Sequence, residues 1–176
     1  MAKRPPRYDV PNAAPEPLRL VQSFVNTVNI ESGEDWMPKW LREQGVRPTA
    51  PALERAREVR ESIRELLYGN NGQQVEGDPR GTLNAAAAES RLTIDFTNGG
   101  IVPRAPGLAG ALGRVIVTVF TAMADGSWGR LKACRNHHCR WAFYDYSKNR
   151  SASWCSMQLC GNRTKTRAYR ARHTRA

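Results

Sequence analysis

Leu18, Val21, Phe24, Val25 and Val28 recur three and four residues apart, which puts apolar side chains on one face of a helix. The helix is expected to end near Asn29, where polar and glycine-containing sequence begins. Trp36, Trp40 and Leu41 predict a short second helix with its aromatic stripe turned inward. After Pro48 and Pro51, a long amphipathic helix is expected from Ala52 to about Tyr68. Its stripe is Leu53, Ala56, Val59, Ile63, Leu66 and Leu67. The opposite face mixes Glu54, Arg55, Arg57, Glu58, Arg60, Glu61, Arg64 and Glu65, with ion pairs at helical spacing, and reads as solvent-exposed. Residues 69–78 (GNNGQQVEGD) have loop composition.

Pro79 opens a further helix through Leu83 and the alanine run 85–88. Residues 91–97 alternate with period two and predict a strand. Asn98, Gly99 and Gly100 form a turn, and residues 101–104 return as the second strand of a hairpin. Leu108 to Met123 is apolar nearly all round and is expected to lie centrally in the helical core. Gly110, Gly113 and Arg114 interrupt it, so no stretch reaches the roughly twenty apolar residues of a membrane span. Asp125 to Ser127 end this helix, and Trp128 and Leu131 lead without a long linker into the last segment, which is expected to pack on the body.

The pattern therefore gives a mainly α chain with a small β-hairpin, in three parts: an arm (1–16), a helical body (17–127) and a compact terminal unit (128–176). Five of the eleven prolines fall at Pro5, Pro6, Pro11, Pro15 and Pro17, which argues for an extended arm. Lys3, Arg4 and Arg7 of that arm are able to touch a phosphate backbone, although a disordered segment with no such role is the expected reading. Met1 to Tyr8 is basic but is followed by no apolar signal-peptide core, so a cytoplasmic protein is expected.

Charge separates the parts sharply. From Arg130 onward there are twelve Lys and Arg residues against the single acid Asp145, which is the whole formal net charge of +11. Everything before is neutral. A neutral body with a strongly basic appendix is the electrostatic footprint of a polyanion binder, most often of nucleic acid.

The same segment holds all four cysteines, Cys134 and Cys139, then Cys155 and Cys160, as two identically spaced pairs with fifteen residues between them. Four thiolates at such spacing suit one structural Zn²⁺, which asks only for a closed tetrahedral shell and leaves no open position for a catalytic water. Two disulfides would need an oxidising compartment; a redox or iron–sulfur site is the remaining alternative. His137 and His138 lie inside the first loop and, with four cysteines present, are expected to be exposed or phosphate-facing. The aromatic cluster Trp141, Phe143, Tyr144, Tyr146 and Trp154 is too small to hold this unit together without metal.

Around the cysteines stand Trp141, Phe143, Asp145, Ser147, Asn149, Arg150, Trp154, Ser156 and Met157, closing on Cys160-Gly161-Asn162-Arg163. Over about forty residues this run resembles the CGNR zinc finger, named for that closing tetrad. Phe24-Val25-Asn26-Thr27 resembles a hallmark of the ABATE domain, the helical domain that usually precedes the finger in a family assigned to bacterial stress-responsive transcription regulators. The resemblance implies a helical body followed by a zinc knuckle, a hairpin and a basic final helix. Asn26 and Thr27 are expected to be a buried polar pair bonded to a neighbouring loop, the alternative being a ligand contact.

The second cysteine pair is expected at or near the start of that final helix, which carries Arg163, Lys165, Arg167, Arg170, Arg172 and Arg175. Arg163, Arg167 and Arg170 share one face, with Lys165 and Arg172 beside it. Such a helix fits the major groove of duplex DNA, where arginine reads guanine while its neighbours clamp phosphates. Asn162 is expected to cap the helix or to read adenine, and Lys148, Asn149 and Arg150 form a hairpin tip suited to phosphate. Tyr169 is expected in the core.

The function expected is a nucleoid-associated, zinc-dependent DNA-binding transcription regulator, whose body senses a signal or mediates assembly, with a homodimer possible. The alternatives are docking of the basic unit on RNA polymerase or another acidic protein of the transcription machinery, or RNA binding. No paired carboxylates, Ser/His/Asp set or phosphate-binding glycine loop points to an enzyme.

Overall fold

The computed structural model describes residues 12–162 and Thr166. The helical body comprises α1 (Leu18–Val25), α2 (Met37–Glu43), α3 (Ala50–Asn70), α4 (Pro79–Glu89) and α5 (Gly107–Ala124). Two small antiparallel ribbons lie between these helices, β1 (Val28–Asn29) with β2 (Glu34–Asp35), and β3 (Leu92–Asp95) with β4 (Gly100–Pro103). A third, β5 (Leu131–Ala133) with β6 (Ala142–Tyr144), carries the cysteine-bearing unit. The expected mainly helical architecture is present, with the hairpin expected at residues 91–104 accompanied by two further ribbons among the described residues.

α3 is the central element. Thr49 caps its first turn by accepting from the Ala52 amide (3.4 Å), and its stripe of Ala56, Val59, Ile63, Leu66 and Leu67 is buried. It packs against α1, α2, α4, α5 and β5. α5 lines the same core with Leu112, Val115, Ile116 and Val119 but leaves Phe120 and Met123 open to solvent, so it flanks the core instead of threading it. Its length and composition would suit a bilayer span, but half of it is buried inside the protein. Gly113 explains how closely it packs. A Cβ there would lie 2.6 Å from Pro103 Cβ and 2.8 Å from Ser90 Cβ, both fixed parts of the neighbouring chain.

Two sequence expectations about α3 are corrected. Its charged face is not uniformly solvated: Arg64 is fully buried and Arg60 nearly so. The Arg64 guanidinium donates to Glu61 Oε2 (2.8 Å), to the Val25 carbonyl (2.6 Å) and to the Arg140 carbonyl (2.9 Å). Arg60 donates to Asp35 Oδ1 (2.8 Å) and to Thr27 Oγ1 (3.2 Å). A mixed-sign helical face has the same sequence pattern whether it meets water or a distant carbonyl, and here the partner lies 76 residues away. The loop expected from residue 69 is the second correction. The helix continues through Asn70, and the side chains of Asn70 and Asn71 hold the last segment.

That segment docks as expected, and its strands share the core of the body. Leu131, Ala133, Ala142 and Tyr144 are buried in the same cluster as the helical side chains. Both outer edges of the β5–β6 ribbon are closed by asparagine. Asn70 Nδ2 donates to the carbonyls of Trp128 (3.0 Å) and Leu131 (2.9 Å), and Asn71 Nδ2 to that of Ala133 (2.8 Å). On the other edge Asn26 pairs with both backbone groups of Ala142, accepting its N–H at 2.8 Å and donating to its carbonyl at 2.9 Å. Asn26 and Thr27 are thus a buried polar pair with a structural role, as expected of that motif.

Asn26→Ala leaves the buried Ala142 amide without a partner and its carbonyl with Gln22 Nε2 alone (3.1 Å), and is expected to cost about 1–3 kcal/mol, read as a lower urea midpoint with unchanged slope. Asn26→Asp restores the acceptor but not the donor. It should lie between wild type and Ala only if both bonds matter; an Ala variant as stable as wild type would refute the clamp.

Candidate metal centre

The first cysteine pair is set by the β5–β6 connection. The Cys134 amide donates to the Trp141 carbonyl (3.0 Å), extending the ladder by one rung. Within the loop, the amides of Cys139 (2.8 Å) and Arg140 (2.9 Å) both reach the Asn136 carbonyl, and the His138 amide reaches Asn136 Oδ1 (3.2 Å). Arg140 closes the turn with φ +45°, a left-handed conformation. Asn136 Nδ2 also points to Cys160 Sγ at 3.7 Å, the outer contact through which a thiolate is oriented and its charge stabilised.

The second pair is brought back by Asp145, the one acid of this segment. Its carboxylate accepts from Lys132 Nζ (2.8 Å) and from the amides of Ser147 (2.9 Å) and Ala152 (3.0 Å), which fixes the 145–152 excursion. Burial alone would raise this carboxyl, but the bonds from Lys132 and Ser147 outweigh it and hold it below the usual carboxylate range. The Arg135 amide donates to the Ser153 carbonyl (3.1 Å), so the returning chain runs beside the first loop. Ser156 then caps a π-helical turn, Met157–Gly161, by accepting from the Leu159 amide (3.3 Å). Cys155 precedes that turn and Cys160 lies within it, two residues before the helical Asn162.

All four sulfurs lie within 4.8 Å of one another. Cys139 and Cys155 are 3.6 Å apart, Cys155 and Cys160 3.7 Å. A tetrahedron with Zn–S bonds of about 2.3 Å has edges of roughly 3.8 Å, so the spacing fits one zinc ion. It is far beyond a disulfide bond, all four thiols are free, and the cluster is too tight to enclose several irons. Phe143 and Trp154 pack on the cysteines, of which Cys134 and Cys160 are buried and Cys139 and Cys155 half-buried. The thiols are in mutual contact: hydrogen bonds from Cys139, then Cys155, pull Cys134 down to about 2, while the neighbouring sulfurs push Cys139 and Cys155 up.

The anticipated aromatic cluster divides. Phe143 and Trp154 line the metal centre, Tyr144 joins the core of the body, and Tyr146 is exposed. His137 is exposed as anticipated but is engaged, its Nδ1 lying 3.0 Å from Tyr68 Oη. The Arg140 guanidinium stacks over the Tyr68 ring at 4.4 Å and pairs with Glu65.

Several bases of the segment are consumed internally. Arg130 donates to the carbonyls of Asp145 (2.8 Å) and Ser147 (3.1 Å), Lys132 to Asp145, and Arg135 to the Asn71 carbonyl (2.8 and 2.9 Å). Of the residues expected to meet nucleic acid, Lys148, Asn149 and Arg150 sit together at an exposed tip, where Arg150 adopts φ +50°. Asn162 is exposed and helical, so it is not the cap; Ser156 has that role because it is extended and one turn earlier. Arg163, Lys165, Arg167, Arg170 and Arg172, together with Tyr169 and Arg175, lie outside the described residues. The anchors Asn70, Asn71 and Arg64 escaped sequence reasoning, because nothing local marks a side chain whose partner is a remote backbone group.

Comparison with known families agrees with this geometry. The CGNR zinc finger matches residues 130–173, and the ABATE family, described as "Putative stress-induced transcription regulator", matches residues 18–126. Among curated proteins none matches the chain.

One zinc per chain is expected by elemental analysis, and cobalt substitution should give the visible spectrum of a tetrahedral tetrathiolate; Cys155→Ser should lose stoichiometric metal. The Asp145 pair sets a pH limit. Because its folded pKa is depressed, its stabilisation is complete above the unfolded value, about 3.9, and is lost as pH falls through the folded one. Asp145→Asn should therefore flatten the acid limb of stability, a difference absent at neutral pH only if Lys132 contributes nothing.

Proposed function

The chain belongs to the ABATE family and carries a CGNR zinc finger, and on that premise we propose that it is a transcription regulator that grips duplex DNA through the finger. The observation that carries the reading is the sorting of charge. Arg130, Lys132, Arg135 and Arg140 are spent on carbonyls and carboxylates of the finger and the body, whereas the side chains of Lys148 and Arg150 project from an exposed tip with no partner among the described residues. The six bases from Arg163 to Arg175 follow directly on the metal knuckle. A positive surface that is neither neutralised internally nor balanced by nearby acids favours a phosphate backbone.

In this reading zinc is structural. Bound by Cys134, Cys139, Cys155 and Cys160, it neutralises the thiolates and cross-links the two knuckles. The chain's own residues then do the binding. Lys148 and Arg150 clamp phosphates and fix register, and Arg163, Arg167 and Arg170 meet base edges in the major groove. The body holds the finger at one orientation and supplies the surface on which a signal or a second copy acts.

Binding of the zinc-loaded chain to a mixed-sequence duplex across a salt series tests this. Affinity should fall steeply with salt, as expected for several released counterions, and should be lost with Arg163→Gln, Arg167→Gln and Arg170→Gln together. A zinc-loaded chain that binds duplex DNA no better than a basic peptide would overturn the reading in favour of an acidic protein partner. Clear preference for RNA of the same sequence would replace DNA with RNA.

A further inference from the structure

Where the finger docks on the body, its last strand helps to enclose a cavity. A pocket of about 180 Å³ opens between the end of α5, the start of α1 and β6. Thr118, Thr121 and Ala122 of α5 and Asp125, its C-cap, line one side. They are spaced i, i+3, i+4 and i+7 and so share one face of the last turns. Pro17 and Leu18 at the start of α1 form the facing wall, and Tyr144 comes from the finger. Leu18, Thr118, Ala122 and Tyr144 are buried and make the floor, whereas Glu16 and Asp125 are exposed and stand at the rim.

Tyr144 is the residue whose chemistry the fold leaves unused. It is only 9% exposed, yet its hydroxyl has no hydrogen-bond partner among the described residues. A buried tyrosine hydroxyl ordinarily finds one. The side chain is nonetheless firmly held. The Tyr144 amide donates to the Asn12 carbonyl (2.9 Å), and the Tyr146 ring packs edge-on against the Tyr144 ring at 4.8 Å. Tyr146 is itself tied down, its Oη donating to the Ala13 carbonyl (2.7 Å).

Charge in the lining has one sign. Among the described residues it carries the carboxylates of Glu16 and Asp125 and no Lys, Arg or His. Hydrogen bonds from Ser127 hold the Asp125 carboxyl below the usual carboxylate range, so it is ionised at neutral pH. The C-terminal end of α5 adds to this, because the last carbonyls of a helix bear partial negative charge. Thr118 Oγ1 donates to the Arg114 carbonyl (2.9 Å), which leaves its lone pairs to accept.

We propose that this cavity binds a small aliphatic amine as its ammonium ion. The ammonium group donates to Tyr144 Oη and to the carboxylates at the rim, and the alkyl part lies on Pro17, Leu18 and Ala122. A metal ion such as Ca²⁺ would instead need a shell of about six to eight oxygens, which this half-apolar lining does not supply. The volume is below the roughly 300 Å³ at which sites for drug-sized ligands begin, so the ligand has fewer than about ten non-hydrogen atoms. Because Tyr144 belongs to the finger and the other walls to the body, a bound amine bridges the two. The next residue is Asp145, whose bonds fix the 145–152 excursion and its exposed tip. The site does not depend on what the finger grips.

The test titrates the full zinc-loaded chain calorimetrically, at neutral pH and constant ionic strength, with 1,4-diaminobutane and with its neutral isostere 1,4-butanediol. The amine should bind saturably, one per chain, and should raise the urea midpoint as its concentration rises; the diol should do neither. Tyr144→Phe removes only the unpartnered hydroxyl. Without ligand its zinc content and urea midpoint should therefore remain those of wild type, while its affinity for the amine falls on the order of tenfold. Glu16→Gln combined with Asp125→Asn should weaken binding at least as much, and the asparagine oxygen still accepts from the Ser127 amide, so the turn is kept. Diol binding as tight as that of the amine would overturn the ammonium class. Wild-type affinity in either variant would put the amine elsewhere and overturn the site. Absence of saturable amine binding by the unaltered chain would overturn the proposal outright and leave the DNA reading untouched.

Discussion

A two-stranded ribbon has two open edges, and backbone groups on a buried edge must be paired or they destabilise what they are buried in. The β5–β6 ribbon meets this constraint with amide side chains instead of further strands. Asn70 and Asn71 cover one edge; Asn26 and the Asn12 backbone cover the other. A primary amide both donates and accepts with nearly the spacing of a peptide group, so it closes a strand edge without extending the sheet. Everything else about the metal-bearing unit follows from that closure. The strands can be short because the body completes them, and the knuckle loop is positioned because the strands are.

The charges are arranged on the same logic. Arg64 is entirely buried, and a buried guanidinium is tolerable only when its donors are satisfied. Glu61 supplies the countercharge, and the carbonyls of Val25 and Arg140 take the remaining bonds. The side chain thus ties α1, α3 and the knuckle together at one point. Arg140 repeats the arrangement from the finger, stacking on Tyr68 and pairing with Glu65. These arginines are interface residues between body and finger. Lys148 and Arg150, exposed and without a side-chain partner among the described residues, are of another kind.

The helices, the β3–β4 hairpin and the four metal ligands were legible in the sequence. Hydrophobic periodicity reports burial directly, and paired cysteines at equal spacing have few other uses. The π-helical turn around Cys160 was not legible, because a cap by Ser156 and a cap by Asn162 are equally compatible with the residues. Nor was the role of α3's charged face. Arg60 and Arg64 belong to the same charged face as Arg57, whose exposed guanidinium pairs with Asp35 at the surface, and only the tertiary fold brings Thr27 and Asp35 over Arg60 and two backbone carbonyls to Arg64. The polar residues Asn70 and Asn71 suffered the opposite error. Composition marked them as loop, and they are among the most heavily used side chains of the interface.

The step from α5 to β5 is only a single 3₁₀ turn, Trp128–Arg130, and Trp128 is itself buried. A finger on a flexible tether would surrender its orientational freedom each time it met a target, at a cost drawn from its affinity. Here that freedom is given up once, during folding. What the chain gains in readiness it loses in accommodation: a target must present its features at the angle the body dictates, and mismatched geometry cannot be rescued by a swivel.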